Sequence, residues 1–321
     1  SNFTFTHNYL KGGTRGLNIG GINLSNVTIN HNKFINQWSL SAGINGAKTP
    51  KIKYNYAKTN STYDSYNGLR VIGADGSFEL SYNEVYAAST VIGYGLRIEA
   101  SKGDSLNHAK VFNNMVTVKG IDGSSTLSAG IINIESRFID YYYNTFRTIG
   151  TDELATPLCL YDNNSGETRY LSIKNNIFAN NTGGYILYTQ DIDTSGFVHD
   201  YNNYYQSGSN IFGSFNGNNI ADLAQFQSVT GQENNSVKYD PYFTDTTDLH
   251  VSNNKLNGLG TPISGITDDI DGDSRDGTNP DMGADEFDPS PYDLAVTKII
   301  APNSGCGLSS TEDVTIRIKN M

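Results

Sequence analysis

The chain has 321 residues, with 22 Lys and Arg against 33 Asp and Glu, a formal net charge of −11 and only 17 % charged residues. That surface lacks the basic patches nucleic-acid binding demands, and no stretch approaches the run of about 18 apolar residues a membrane helix needs. The two cysteines, Cys159 and Cys306, are too far apart for a disulfide framework or metal-type spacing.

From the first residues onward one phrase recurs: apolar, any, apolar, two free positions, Asn, one free position, apolar. It runs Phe3, Phe5, Asn8, Leu10; Val27, Ile29, Asn32, Phe34; Pro50, Ile52, Asn55, Ala57; Phe78, Leu80, Asn83, Val85; and Ala109, Val111, Asn114, Val116. It continues through Ile139, Tyr141, Asn144, Phe146 and Leu171, Ile173, Asn176, Phe178, and ends degraded at Val198, Asp200, Asn203, Tyr205. The Asn positions differ by 24, 23, 28, 31, 30, 32 and 27, a period that predicts a solenoid. Apolar residues two apart share one face of a strand, and an Asn beyond them tolerates the left-handed conformation of a tight turn. Stacked coils then predict a ladder of Asn8, Asn32, Asn55, Asn83, Asn114, Asn144, Asn176 and Asn203, whose amides bond to one another at about 1 kcal/mol net per bond.

Between these phrases a small residue precedes an alternating strand, as in Gly16-Leu17-Asn18-Ile19, Gly43-Ile44-Asn45, Gly68-Leu69-Arg70-Val71, Gly95-Leu96-Arg97-Ile98 and Ile132-Asn133-Ile134-Glu135. Two strands per period without helices predict an all-β fold, a parallel β-helix with coils roughly 4.8 Å apart, right-handed as crossovers between parallel strands are. Aligned coil by coil, Asn18, Asn45, Arg70, Arg97 and Asn133 fall in one outward column, with Glu99 and Glu135 two residues along. Arg70, Arg97, Glu99 and Glu135 are therefore the candidate catalytic or glycan-gripping set; the competing reading is a solvated ion-pair ladder. The 21 tyrosines and single tryptophan suit glycans, or cap coil edges by stacking. His7 and His31 precede ladder Asn residues, a place held later by Tyr54, Tyr82 and Tyr143; a stacked turn edge is the reading for a histidine pair with no third metal ligand.

Past the coils, Asn219 followed by Ile220, Leu223 and Phe226 predicts a capped amphipathic helix within the polar stretch 207–235, covering an open end of the solenoid. Then come Tyr239-Asp240-Pro241-Tyr242-Phe243, Leu249-His250-Val251, Asp269-Ile270-Asp271-Gly272-Asp273-Ser274-Arg275 and Pro280-Asp281-Met282-Gly283-Ala284-Asp285-Glu286-Phe287. This order resembles the C-terminal end of bacterial right-handed parallel β-helix repeat proteins, the secreted pectate-lyase-like superfamily, over residues 1 to about 288. Asp269, Asp271 and Asp273 alternate as calcium ligands do, but Gly272 sits fourth where an EF-hand loop places Gly sixth, and no Glu stands twelfth; a turn-rich cap is the competing reading. After Pro289-Ser290-Pro291, a short linker, residues 293–296 and 314–318 alternate as antiparallel strands. With Pro302, Ser304, Gly305, Cys306 and Gly307 they resemble the opening of Ig-like β-sandwich modules in large surface proteins of Bacteroidetes. A hairpin of that size is marginal alone, and the chain opens directly inside a coil at Phe3, so the natural protein is expected to extend both ways.

The expected organisation is parallel β-helix coils over 1–206, a capping region over 207–288, and a linker with the first strands of an incomplete Ig-like domain over 289–321. The resemblance implies two function classes: lyases and glycosidases, which use carboxylates and an Arg or Lys base in a groove, and adhesins or display stalks, which need no such cluster. The expectation is a secreted or cell-surface, non-catalytic module for adhesion, display or glycan contact. The alternative is a polysaccharide lyase or glycoside hydrolase acting on an acidic glycan. The expected partners are a polysaccharide or cell-surface glycan, further domains of the same chain and, on the Bacteroidetes resemblance, type IX secretion machinery, with no nucleic acid and no membrane insertion. No cofactor is expected apart from calcium at Asp269, Asp271 and Asp273.

Overall fold

A computed structural model describes residues 2–60, 65–88, 92–120, 127–150, 152–209, 211–288, 294–302, 311 and 313–320; the linker 289–291 and residues 304–307, with Cys306, lie outside them. Residues Ser1–Phe287 form one compact unit and Asp288–Met321 a second.

The first unit is a parallel β-solenoid of about seven turns, and each turn contributes three strands rather than the two expected. The first sheet stacks eight strands, from Phe3–Thr6 through Val27–Asn30, Lys51–Lys53, Glu79–Ser81 and Ala109–Phe112 to Val198–Asp200. The second stacks another eight, from Tyr9–Lys11 through Tyr56–Asn60, Glu84–Ala88 and Met115–Lys119 to Asn203–Gln206. The third has nine, beginning at Arg15–Ser25 and closing on an antiparallel pair, Gly213–Phe215 with Asn218–Ile220. The register places like on like: Phe5 pairs with Ile29, Ile29 with Ile52, Ile52 with Leu80, Leu80 with Val111 and Val111 with Tyr141, a column running through the core.

The extra strand has a local cause. The residue before each ladder Asn, namely His7, His31, Tyr54, Tyr82, Asn113, Tyr143, Asn175 and Tyr201, has φ between 50° and 58°. The left-handed bend thus falls one residue earlier than expected, and it breaks each Asn phrase into one strand of the first sheet and one of the second. Each bend disfavours an ordinary L-residue, and the ladder offsets this. The backbone N–H and Nδ2 of Asn83 both donate to Asn114 Oδ1, at 3.1 and 2.9 Å, and Nδ2 also donates to Ile52 O at 2.9 Å. The same pair of bonds links Asn8 to Asn32, Asn32 to Asn55, and onward to Asn176.

The last rung is Asn202, not Asn203. Asn176 donates to Asn202 Oδ1 at 3.0 and 3.1 Å, whereas the Asn203 amide exchanges bonds with the backbone of Tyr239. The bend residue Tyr201 sets the phase, so the Asn directly after it takes the rung. Beyond it, Asn202 Nδ2 donates to the buried Glu233, which also accepts from the Tyr204 hydroxyl, meets His199 Nδ1 at 2.8 Å and is contacted by Ser236 Oγ.

The predicted helix forms at Leu223–Thr230, but its N-cap is Asp222, whose Oδ1 accepts from Gln225 N at 2.8 Å; Asn219 belongs to the preceding strand. Leu223 and Phe226 are buried, and the Phe226 ring sits 5.8 Å from Phe212 and 5.7 Å from Phe215, so the helix covers the core end as amphipathic spacing implies. The expected capping region divides here, because residues 239–287 turn back along the flank and dock on the bend row. Tyr82 donates to Asp268 Oδ1, Asn113 to Asp268 O, and Tyr143 and Asn175 to Thr261 O, each at 2.7 Å. At Gly283, where φ is 94°, a Cβ would come within 2.7 Å of Ile177, so the close approach requires glycine.

The second unit contains an antiparallel pair, Leu294–Ala301 with Thr315–Asn320. Among the described residues no helix is long and apolar enough to cross a membrane.

Candidate functional site

Of the predicted arginine–glutamate set, Arg70, Arg97 and Glu99 come together and Glu135 stands apart. Arg70 and Arg97 are paired neighbours in the third sheet, in one column with Asn18 and Gly43. Asn45 belongs to the next column, with Ile72 and Glu99. Asn133 pairs with Ile98 on the core side, fully buried, and accepts from the Tyr141 hydroxyl at 2.7 Å. Glu99 pairs with Ile134, while Glu135 lies beyond the strand in a left-handed bend and accepts from Asn163 at 2.9 Å. Arg97 donates to Glu99 within its own strand, at 3.0 and 2.6 Å, and Arg70 reaches Asn18 Oδ1 at 3.3 Å. No carboxylate pair faces a common substrate position here, and the one ion pair is of the surface kind worth little by itself.

His7 and His31 stack with ring centres 5.0 Å apart, and the stack continues to Tyr54 at 4.8 Å and Tyr82 at 4.5 Å. Asp269 is buried; its Oδ1 accepts from the backbone N–H of Asp271 and Asp273 and its Oδ2 from Glu286 N, at 2.8 to 2.9 Å. Asp269 is a turn anchor, its carboxylate taken up by these backbone groups. Cys159 is fully buried and its thiol is pushed up by desolvation, which makes it a packing residue.

The solvent face of the first sheet holds a groove of about 360 Å³, lined by Lys51, Lys53, Glu79, Tyr82, His108, Lys110 and neighbours. Lys51, Glu79 and Lys110 occupy one column in register. Lys53 Nζ bonds Glu79 at 2.9 Å and lies 5.5 and 5.6 Å from the Tyr54 and Tyr82 ring centres. His108 Nδ1 stands 2.8 Å from Asp140 Oδ1. Among the described residues neither Lys51 nor Lys110 is in an ion pair. With Lys53 paired to Glu79 and Asp140 beside Lys110 and His108, the excess positive charge of the groove rests on Lys51 and Lys110, on a chain of formal charge −11. Sequence reasoning missed these residues although they sit in the Asn phrase itself: Lys51, Glu79, Lys110 and Asp140 fill its unrestricted second position.

A second cleft, of about 220 Å³, opens where the returning tail meets the second sheet, with Tyr56, Glu84 and Met115 on one wall and Asp248, His250 and Asp271 on the other. His250 Nε2 lies 2.6 Å from Asp271 Oδ2 and Nδ1 contacts Asp248 Oδ1. The ligand atoms of His250, Asp271 and Asp285 all lie within 4.8 Å of one another. Val251 N donates to Asp285 Oδ2 at 2.9 Å. Burial alone would lower the His250 pKa, but the Asp271 and Asp248 carboxylates at its two ring nitrogens carry it up to about 9. Burial, aided by neighbouring carboxylates, raises Glu84 and Asp285. A histidine whose folded pKa exceeds its ordinary value of about 6.5 stabilises the fold below that value and stops doing so as pH rises through about 9. Thermal melts are therefore expected to fall in temperature across this window, and Asp271→Asn to flatten the fall; an equal slope in that variant would refute the assignment.

The chain matches no protein-family model, and no curated protein is similar enough to it to count as a match.

Proposed function

We propose that this β-solenoid is a secreted or cell-surface, non-catalytic module of the pectate-lyase-like kind that contacts an anionic glycan through the first-sheet groove. The carrying observation is the pair of lysines without an ion pair, Lys51 and Lys110, spaced by the coil repeat beside Tyr82 and His108 on an otherwise acidic chain. Ammonium groups two coils apart, roughly 10 Å, suit carboxylates or sulfates along a polymer, and the rod holds them in place at little entropic cost on binding. The hairpin of the second unit fits the start of an Ig-like module in a longer surface protein.

The His108–Asp140 pair beside Lys110 favours a second reading, a lyase acting on an acidic glycan, since a carboxylate-oriented imidazole is a competent proton acceptor. A panel of uronate-bearing, sulfated and neutral polysaccharides, scored for binding and for release of unsaturated products, tests both. Binding restricted to anionic polymers is expected. Lys51→Ala/Lys110→Ala should weaken it by about five- to thirtyfold, the effect of losing two exposed ion pairs at up to about 1 kcal/mol each, while Arg70→Ala/Arg97→Ala leaves it unchanged. Equal binding of neutral polymers, or a lysine double variant indistinguishable from wild type, overturns the proposal; unsaturated product lost in His108→Ala moves the chain to the enzyme class.

A further inference from the structure

We propose that His250, Asp271 and Asp285 bind a divalent transition-metal ion of the zinc or manganese type, with Asp248 as a positioning residue and Glu84 facing the ion from the second sheet. The site is independent of the lysine groove, which lies on the first sheet.

Three features of the geometry carry the assignment. The donor set is one imidazole nitrogen with carboxylate oxygens, which suits zinc or manganese, whereas calcium and magnesium take oxygen alone. The spacing is close to that of a bound shell: two atoms held tetrahedrally by one ion at about 2.0 to 2.2 Å stand about 3.3 to 3.6 Å apart, and the three ligand atoms lie within 4.8 Å of one another. Contraction by up to about 1.5 Å at the widest pair, with opening of the His250–Asp271 contact by about 0.7 Å, completes the shell. The imidazole is also oriented as metal-bound histidines are, with Nδ1 against the Asp248 carboxylate and Nε2 directed at Asp271, the second proposed ligand.

The ligands are anchored by backbone. Asp285 Oδ2 is held by Val251 N, Asp271 N by Asp269 Oδ1, and the two segments are tied by Ile270 N donating to Ala284 O at 3.0 Å. Glu84, at the start of its strand, lines the same cleft from the solenoid side. Four carboxylates thus surround one imidazole in a partly buried space. An ion held there bridges the returning tail to the second sheet.

The test is calorimetric titration of the chelator-treated full chain with zinc chloride, manganese chloride and calcium chloride, each paired with a thermal melt. The expected result is one saturable zinc site that raises the melting temperature, with manganese weaker and calcium far weaker than either. Asp271→Asn should abolish zinc binding, as should His250→Gln, and without metal the Asp271→Asn chain should differ from wild type only in the pH dependence of its melt. Asp248→Asn should cost about 10- to 100-fold in affinity without changing stoichiometry. The stacked pair His7 and His31 is a possible adventitious zinc site, so His7→Gln/His31→Gln is the control and should bind as wild type. Absence of saturable zinc binding, wild-type affinity in both Asp271→Asn and Asp285→Asn, loss of binding in the control alone, or calcium binding equal to zinc overturns the proposal.

Discussion

Arg275→Met is expected to lower stability by about 3 to 5 kcal/mol, the usual consequence of removing one partner from a buried charged network. The guanidinium is almost wholly buried. Its Nη2 donates to Asn113 Oδ1 at 2.9 Å and to the carbonyls of Gly283 and Ala284 at 3.0 and 3.2 Å; Nε donates to Asp268 O at 3.2 Å, and Nη1 pairs with Glu286 at 3.2 Å. The same group lies 4.0 Å from the centre of the Tyr143 ring. These contacts tie two stretches of the returning tail to each other and to the bend row, so the loss should appear first as protease sensitivity within 239–287. Arg275→Lys should rescue little, because a single ammonium cannot serve acceptors in several directions. A denaturation midpoint within about 0.5 kcal/mol of wild type, the scale of an ordinary surface change, would sink the keystone role.

Asn114→Ala should cost a comparable amount, about 3 to 5 kcal/mol, since each buried polar group left unmatched costs about 1 to 3 kcal/mol and partial relaxation recovers some of it. The truncation strands the Asn83 backbone N–H and one of its two Nδ2 hydrogens, which lose Asn114 Oδ1, and it removes the side-chain donor to Leu80 O, Phe112 O and Asn144 Oδ1. The paired variants Asn202→Ala and Asn203→Ala test the phase of the column. The first should resemble Asn114→Ala, while the second, which loses only its bonds to Tyr239, should cost about 1 kcal/mol. The reverse ranking would mean that the rung is misassigned.

Stacking was legible in the sequence because the signal repeats once per turn and is chemically specific: apolar residues two apart, then an amide that can bond to its own kind. The third strand was not, because the left-handed bend that creates it is occupied by His, Tyr or Asn in different turns and so has no residue signature. Two adjacent asparagines hid the phase of the last rung. The outward column was legible only in part: Asn18, Arg70 and Arg97 share it, but Gly43 rather than Asn45 stands between them, and Arg97 meets Ile132 rather than Asn133. In a strand, a slip of one residue exchanges the solvent face for the core. The lysine groove lay in the position of the phrase that carries no structural constraint, where function is free to write. The His250 cleft draws on three tail segments and on Glu84, far apart in the chain, and no local pattern reports such a meeting.

The asparagine column also has an electrical sense. In every rung Oδ1 receives from the preceding coil while the amide and backbone N–H groups point to the following one, so the side-chain dipoles add head to tail, as peptide dipoles do along a helix. Their positive end falls at Asn202, and there the chain places the carboxylate of Glu233. An ionised carboxylate accepts hydrogen bonds and donates none. The Glu233 oxygens accept from the end of the array, and its side chain supplies no N–H to a further rung, a chemical full stop to a pattern that could otherwise propagate.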